Sequence, residues 1–235
     1  MNQSDLSTIY SPQMIEETQR SFITRVFGWM TLVLLLTAGA SLFTVINPAI
    51  LNAITSNFWL FFGLIIAEFG LVVFLTAALK RMNSVVASLS FIAYALLNGV
   101  TLAVIFLLYT ASSIVETFLI CACMFGIMSL FGYTTKRDLT SWGSLLFMGL
   151  VGVIIGSLFN LFFQVPALYW IVTIVGILVF IGLIAYDTQK LKAMSLVVGA
   201  DGEAAQKASI VGALALYLDF INLFLLLLRI FGRNK

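Results

Sequence analysis

Residues 216–232 read LYLDFINLFLLLLRIFG, and a single aspartate, Asp219, interrupts a run that otherwise has the composition of a lipid-soluble helix. An ionised carboxylate at the centre of a membrane helix costs about 2.5 to 3.5 kcal/mol on insertion scales, so such a residue is normally paired, protonated or turned to a polar cavity. The stretch decides two things together. The chain belongs in a bilayer, and this residue needs an environment that explains it.

The rest of the chain agrees with the first conclusion. Hydrophobic residues make up 62% of the 235 positions and charged residues only 9%, and the mean hydropathy is +1.12, which leaves too little polar surface for a water-soluble globule. Apolar runs fall at about residues 22–46, 58–79, 85–109, 114–133, 142–163, 167–186 and 208–231, each long enough for a span of about 20 residues. The expected fold class is an all-α integral membrane protein, a bundle of seven transmembrane helices. It divides into a polar segment at residues 1–21, one transmembrane domain at 22–231 and a short basic tail at 232–235. A net charge of +2 gives no electrostatic footprint for nucleic acid. The polar first residues hold no early apolar stretch, so span 1 is expected to act as its own insertion signal.

Lysine and arginine set the orientation, because cytoplasmic loops carry the excess. Arg20 and Arg25 lie at the start of the first run, Lys80 and Arg81 follow the second, Lys136 and Arg137 follow the fourth, and Lys190, Lys192 and Lys207 lie between the sixth and seventh. Every second loop is basic, and the N-terminus is expected in the cytoplasm. The tail conflicts with the pattern, since Arg229, Arg233 and Lys235 lie on the outer side if the last span crosses fully. Full crossing is the expectation, with a re-entrant last segment as the alternative.

Three of the ten acidic residues are not accounted for by loops or span ends: Glu68 inside the second run, Asp187 closing the sixth and Asp219 centring the seventh. For each, the plain reading is a carboxylate satisfied by hydroxyls or amides that serves helix association. Helical spacing puts Gly212, Ala215, Leu216, Asn222 and Leu226 on the Asp219 face, a seam of small residues suited to close helix approach, with lipid expected on the Phe220 and Phe224 side. If the last span starts near residue 208, Asp219 lies about 16 Å deep at 1.5 Å per residue, whereas Asp187 is near the cytoplasmic end. Tilt or unwinding is needed to bring them together. Were they to meet, the two carboxyls would titrate as a unit, sharing a proton at low pH and repelling at high pH. Doubly ionised, they can hold Ca²⁺ transiently with oxygen ligands, and Asn222 can add an oxygen. Lys80 or Arg81 is a candidate cation to neutralise Asp187, against ordinary positive-inside anchoring.

The segments AYDTQKLK (185–192), LYLDFINLFLLLLRIFG, FGYTTKRDL (131–139) and VFGWM (26–30) resemble the bacterial branch of the Bax inhibitor-1, or transmembrane Bax inhibitor motif, family over essentially the whole membrane region. The resemblance implies a bacterial inner-membrane protein whose last helix is central among seven, and a pH-sensitive calcium leak. It also implies that Asp187 and Asp219 are the di-aspartyl pH sensor and gate, with Glu68 in the ion pathway. The basic partner transfers in either register, Lys80 or Arg81. The chain lacks the long basic C-terminal tail of some eukaryotic members, and cell-death control is not carried over.

The expected function is therefore a calcium leak with Ca²⁺ and protons as its only small partners, no resident cofactor and no catalytic residue. The alternatives are proton-coupled cation exchange and a non-transporting protein that modulates another membrane protein, such as a protease. An intramembrane aspartyl protease is disfavoured, because Asp219 follows Tyr217-Leu218 and not the Gly-x-Gly expected of such an enzyme. Cys121 and Cys123, two residues apart on a helix, point in divergent directions and read as core packing. Gly152 and Gly156 read as a helix-packing pair, compatible with a monomer or weak oligomer.

Overall fold

A computed structural model describes residues 11–78, 81–199 and 201–235; residues 1–10 of the polar segment lie outside them. The described residues form nine helices: α1 (Pro12–Ile46), α2 (Pro48–Ser56), α3 (Phe58–Ala77), α4 (Ser84–Leu102), α5 (Ile105–Leu108), α6 (Ala111–Thr134), α7 (Thr140–Phe163), α8 (Pro166–Val198) and α9 (Glu203–Phe231). Seven segments are long and apolar enough to cross a membrane, with α4 and α5 together forming the third. The seven-helix fold expected from the apolar runs is the fold observed.

The helix ends follow the local chemistry of the sequence. Side chains cap four starts: Ser11 accepts from the Met14 N–H at 3.3 Å, Asn57 from Leu60 at 3.2 Å, Asn83 from Val86 at 2.9 Å and Thr110 from Ser113 at 3.4 Å. Each satisfies a backbone donor that the helix leaves open. Gly199 terminates α8 with φ +78°, the left-handed conformation that glycine adopts without a Cβ penalty, and its N–H bonds to the Ser195 carbonyl at 2.9 Å.

The chain divides into two compact units, residues 1–104 with 191–214, and residues 105–190 with 215–235, so α8 and α9 each contribute to both. In the first unit α4 packs on α1 and α3. The Thr37 hydroxyl donates to the Val33 carbonyl at 2.8 Å and the Ala95 carbonyl at 3.0 Å. Phe22, Val26, Val33 and Phe91 are fully buried there. Arg25 pairs with Asp201 at 3.4 Å, and the Lys207 ammonium donates to the Met82 carbonyl at 3.2 Å.

In the second unit, Phe220 of α9 packs edge-on against Phe118 and Phe125 of α6, with ring centroids 5.4 and 5.6 Å apart, and Phe224 meets Phe118 at 6.1 Å. This corrects the expectation of a lipid-facing Phe220 and Phe224 side. Both rings are buried, at 2% and 5% exposure, while Asn222 is exposed. The reason is that α9 is enclosed on more than one face: 67% of its most apolar window is buried, against 6% for α3 and for α7. In a bilayer, apolar residues serve both lipid and protein contacts, so helical spacing alone does not separate the two.

The tail packs within this second unit. Asn234 forms an isolated β-bridge with Tyr109, the Thr110 N–H donates to the Arg233 carbonyl at 2.9 Å and the Lys235 N–H to the Leu108 carbonyl at 3.1 Å. Arg233 pairs with Glu116 at 3.4 Å. The end of α9 thus lies beside the α5–α6 turn, a loop free of lysine and arginine.

Candidate functional site

The Asp187 and Asp219 carboxyl groups lie close enough to one another to interact directly. Two ionised carboxylates have only acceptors, so a hydrogen bond between them requires a proton on one of them. Asp219 is 6% exposed, and its Oδ2 is buried without a partner; Asp187 is half-buried. The two acids form an adjacent carboxyl pair, one oxygen of which is buried without a partner.

The approach that sequence alone left to tilt or unwinding has a simpler origin. Asp187 does not close its helix: α8 runs on as regular helix to Val198, eleven residues further, and α9 begins at Glu203, sixteen residues before Asp219. At 1.5 Å per residue these depths are about 16 and about 24 Å, so a modest stagger of the two helices brings the acids level. Lys190 and Lys192 suggest a span end, but long basic side chains can reach the interface from within a continuing helix. The Lys190 ammonium, at 5.8 Å from the Tyr186 ring centroid, also exerts its field on Asp187. It is a neighbouring cation that sequence reading counted only as a topology signal.

The wall around Asp187 is built by close helix contacts. Gly132 of α6 lies against the backbone of Ala185, so that a Cβ there would collide with it, and a Cβ on Gly143 of α7 would meet the Tyr186 ring at 2.6 Å. Gln189 fastens the α6–α7 loop to α8: its Oε1 accepts from the Leu139 N–H and its Nε2 donates to the Arg137 carbonyl, both at 2.8 Å. Gly132 and the 137–139 loop both fall in the FGYTTKRDL segment, whose place beside the acid no spacing rule reveals. On the other acid's helix, the Cys121 thiol donates to the Phe220 carbonyl at 3.6 Å; Cys121 is buried and Cys123 exposed.

The remaining predicted residues fall elsewhere. Glu68 belongs to the first unit and is half-buried, accepting from the Thr101 hydroxyl at 2.7 Å and the Asn98 amide at 3.0 Å. Asn222 donates its amide to the Leu218 carbonyl at 2.8 Å and is exposed, one turn along from Asp219 but with that donor committed to its own helix. Arg81 is exposed and forms no ion pair among the described residues; Lys80 lies outside them. Among the described residues no third acidic, cysteine or histidine side chain joins the pair to make a metal-binding group, and two carboxyls alone fall short of the six to eight oxygens of a resident Ca²⁺ site.

Fold and site together define a polytopic α-helical membrane protein with a buried acid pair shared by its last two spans. The family model described as inhibitor of apoptosis-promoting Bax1 matches residues 19–235, and the chain belongs to this Bax inhibitor family. It is similar to the inner membrane protein YbhL of Escherichia coli K12, with 48% identity over 217 residues, 92% of this chain and 93% of that protein. Uncharacterised proteins of Rickettsia prowazekii (44% identity, 98% of this chain and 97% of that protein) and Borreliella burgdorferi (44%, 92% and 94%) are similar over the same extent.

Proposed function

We propose that the protein is a pH-gated calcium leak of the bacterial inner membrane, with its N-terminus in the cytoplasm, and that Asp187 and Asp219 are its latch. The observation that supports this reading most directly is the proximity of the two carboxyls at a position where one acid is buried with an unpartnered oxygen. While the pair holds a proton, a hydrogen bond between them ties α8 to α9. Loss of that proton leaves two anions a hydrogen-bond length apart in a poorly solvated space, and their repulsion drives the helices apart. Flux therefore rises with pH through the titration of the pair. The proton acts by its different affinity for the latched and unlatched states. The inner-membrane location rests on the similarity to YbhL, the N-terminal orientation on the alternation of basic loops. A central last helix is part of the reading, supported by the high burial of α9.

Reconstitution of the purified chain in calcium-dye-loaded liposomes between about pH 6 and 8 tests the latch. Asp219→Asn keeps a hydrogen-bond donor toward Asp187 but cannot lose a proton, so flux should stay low at every pH. Asp219→Ala and Asp187→Ala remove the bond, and flux should be high and pH-independent. A wild-type response shared by all these variants would overturn the latch. Absence of flux from the purified chain, with co-purification of another membrane protein, would favour the modulator, and calcium driven uphill by an imposed pH gradient would favour the exchanger.

A further inference from the structure

The last span has basic residues on both of its sides. Lys190, Lys192 and Lys207 come before its apolar run, and Arg229, Arg233 and Lys235 come at or after its end. With three cations on either side, the excess of lysine and arginine that orients a span gives this helix no direction. The three at its far end are each met by a particular group of the second unit. Arg229, in the last turn of α9, stacks on the Tyr169 ring of α8 with its Cζ 5.3 Å from the centroid. Arg233 pairs with Glu116 of α6 at 3.4 Å, and the Lys235 ammonium donates to the Phe106 carbonyl at 2.7 Å. In the basic segments, by contrast, Arg20, Arg81, Lys136 and Arg137 form no ion pair or ring contact among the described residues.

The backbone completes the attachment. α5 is only four residues long, so its carbonyls lack the following turn that would donate to them, and an unmet carbonyl at membrane depth is costly. Ile105 accepts from the Tyr109 N–H at 2.9 Å, and the tail serves the rest of the segment: the Lys235 N–H donates to the Leu108 carbonyl at 3.1 Å, beside its ammonium on Phe106. In return the Thr110 N–H donates to the Arg233 carbonyl at 2.9 Å. Gly232 permits the approach, because a Cβ there would run into the Tyr109 ring.

We propose that this docking, and not the distribution of charge, holds the last span across the membrane, with the α5–α6 turn and Glu116 as the receiving site for the basic tail. An exposed ion pair alone contributes little. The backbone bonds and the Gly232 contact therefore carry most of the attachment, and Glu116 favours the tail by charge. Asp219 lies on the same helix, about 15 Å from Arg229, so the anchor also sets the depth of the acid. The inference uses the orientation proposed above and is independent of the calcium leak.

Cysteine labelling in whole bacterial cells tests the docking, with Cys121 and Cys123 replaced by alanine and a single cysteine introduced as Ser112→Cys in the turn or Asn234→Cys in the tail. A membrane-impermeant maleimide should reach both positions from outside. Gly232→Val leaves every charge in place, so the charge rule calls for no change. Loss of the docking should instead lower outside labelling at position 234 about tenfold, the equivalent of one or two hydrogen bonds, with position 112 unaffected. Glu116→Arg should lower it about threefold, and adding Arg233→Glu to Glu116→Arg should restore it. Labelling of positions 112 and 234 from opposite sides would overturn the docking, as would outside labelling at 234 that Gly232→Val and Glu116→Arg both leave unchanged. Labelling of both positions only after lysis would overturn the orientation and the outward anchor with it. Hydrogen exchange of the Thr110 amide in the purified wild-type chain, which needs no variant to fold, should show protection; free exchange there would also overturn the docking. Calcium flux enters none of these readouts, so a failed leak and a failed anchor are told apart.

Discussion

Glu68 and Asp219 are both acids set into apolar helices, and the structure treats them in opposite ways. Glu68 is met by neutral donors, the Thr101 hydroxyl and the Asn98 amide, and every bond it accepts persists when the carboxyl is ionised. Asp219 is met by another acid, and a hydrogen bond between two carboxyls exists only while a proton is present. A carboxylate held by hydroxyl and amide keeps its bonds in the ionised form, whereas two carboxyls side by side share a bond only through a proton. The difference lies in the partner and not in the depth.

The largest effect that can break this contrast is functional. Glu68→Gln preserves size and hydrogen bonding, so liposome flux should keep its pH dependence, whereas Asp219→Asn should abolish it; loss of the pH response in Glu68→Gln would show that both acids belong to one switch. Next in size, Thr101→Val removes the shorter of the two bonds to Glu68 and should destabilise the protein by roughly 1 to 3 kcal/mol, as for a hydrogen bond to a charged group. Denaturation in mixed detergent micelles measures this, and a neutral result would mean that Asn98 alone suffices. Gln189→Ala cuts both ties between the 137–139 loop and α8 and should lower stability by about 1 kcal/mol. Because the loop braces the helix two residues beyond Asp187, the midpoint of the flux–pH curve should shift as well, and an unmoved midpoint would confine the loop to a structural part.

The smallest effect belongs to Asp138, an exposed acid outside the spans. The Thr140 hydroxyl first, and then the Thr140 backbone N–H at 2.8 Å, hold its carboxyl below its ordinary value of 3.8. A depressed value means that its contribution to loop order is present above 3.8 and is lost as pH falls through the lowered value. Hydrogen exchange of the Thr140 amide, corrected for intrinsic rates, should stay protected on acidification until below pH 3.8; earlier loss would remove the local bond as its cause.

The spans were legible because an apolar run of some twenty residues has few other uses. The acids were legible as anomalies for the same reason. Their meeting was not, because two lysines three and five residues after Asp187 resemble the end of a span, while the actual stop is Gly199, where the backbone turns left-handed. Phe220 and Phe224 were misplaced because the amphipathic signal that separates inside from outside in water is absent where lipid and protein core have the same polarity. Arg229 told only part of its story in the sequence. Its charge was visible as a conflict with topology, but its stacking on Tyr169 depends on a residue sixty positions away.

The bridge between Asn234 and Tyr109 has a practical consequence. Together with the Arg233–Glu116 pair and the Lys235 ammonium donating to the Phe106 carbonyl at 2.7 Å, it makes the final residues part of the α5–α6 turn. A purification tag or reporter fused at Lys235 is therefore an alteration of that turn, and an affinity handle placed there can itself perturb the protein it is meant to leave undisturbed.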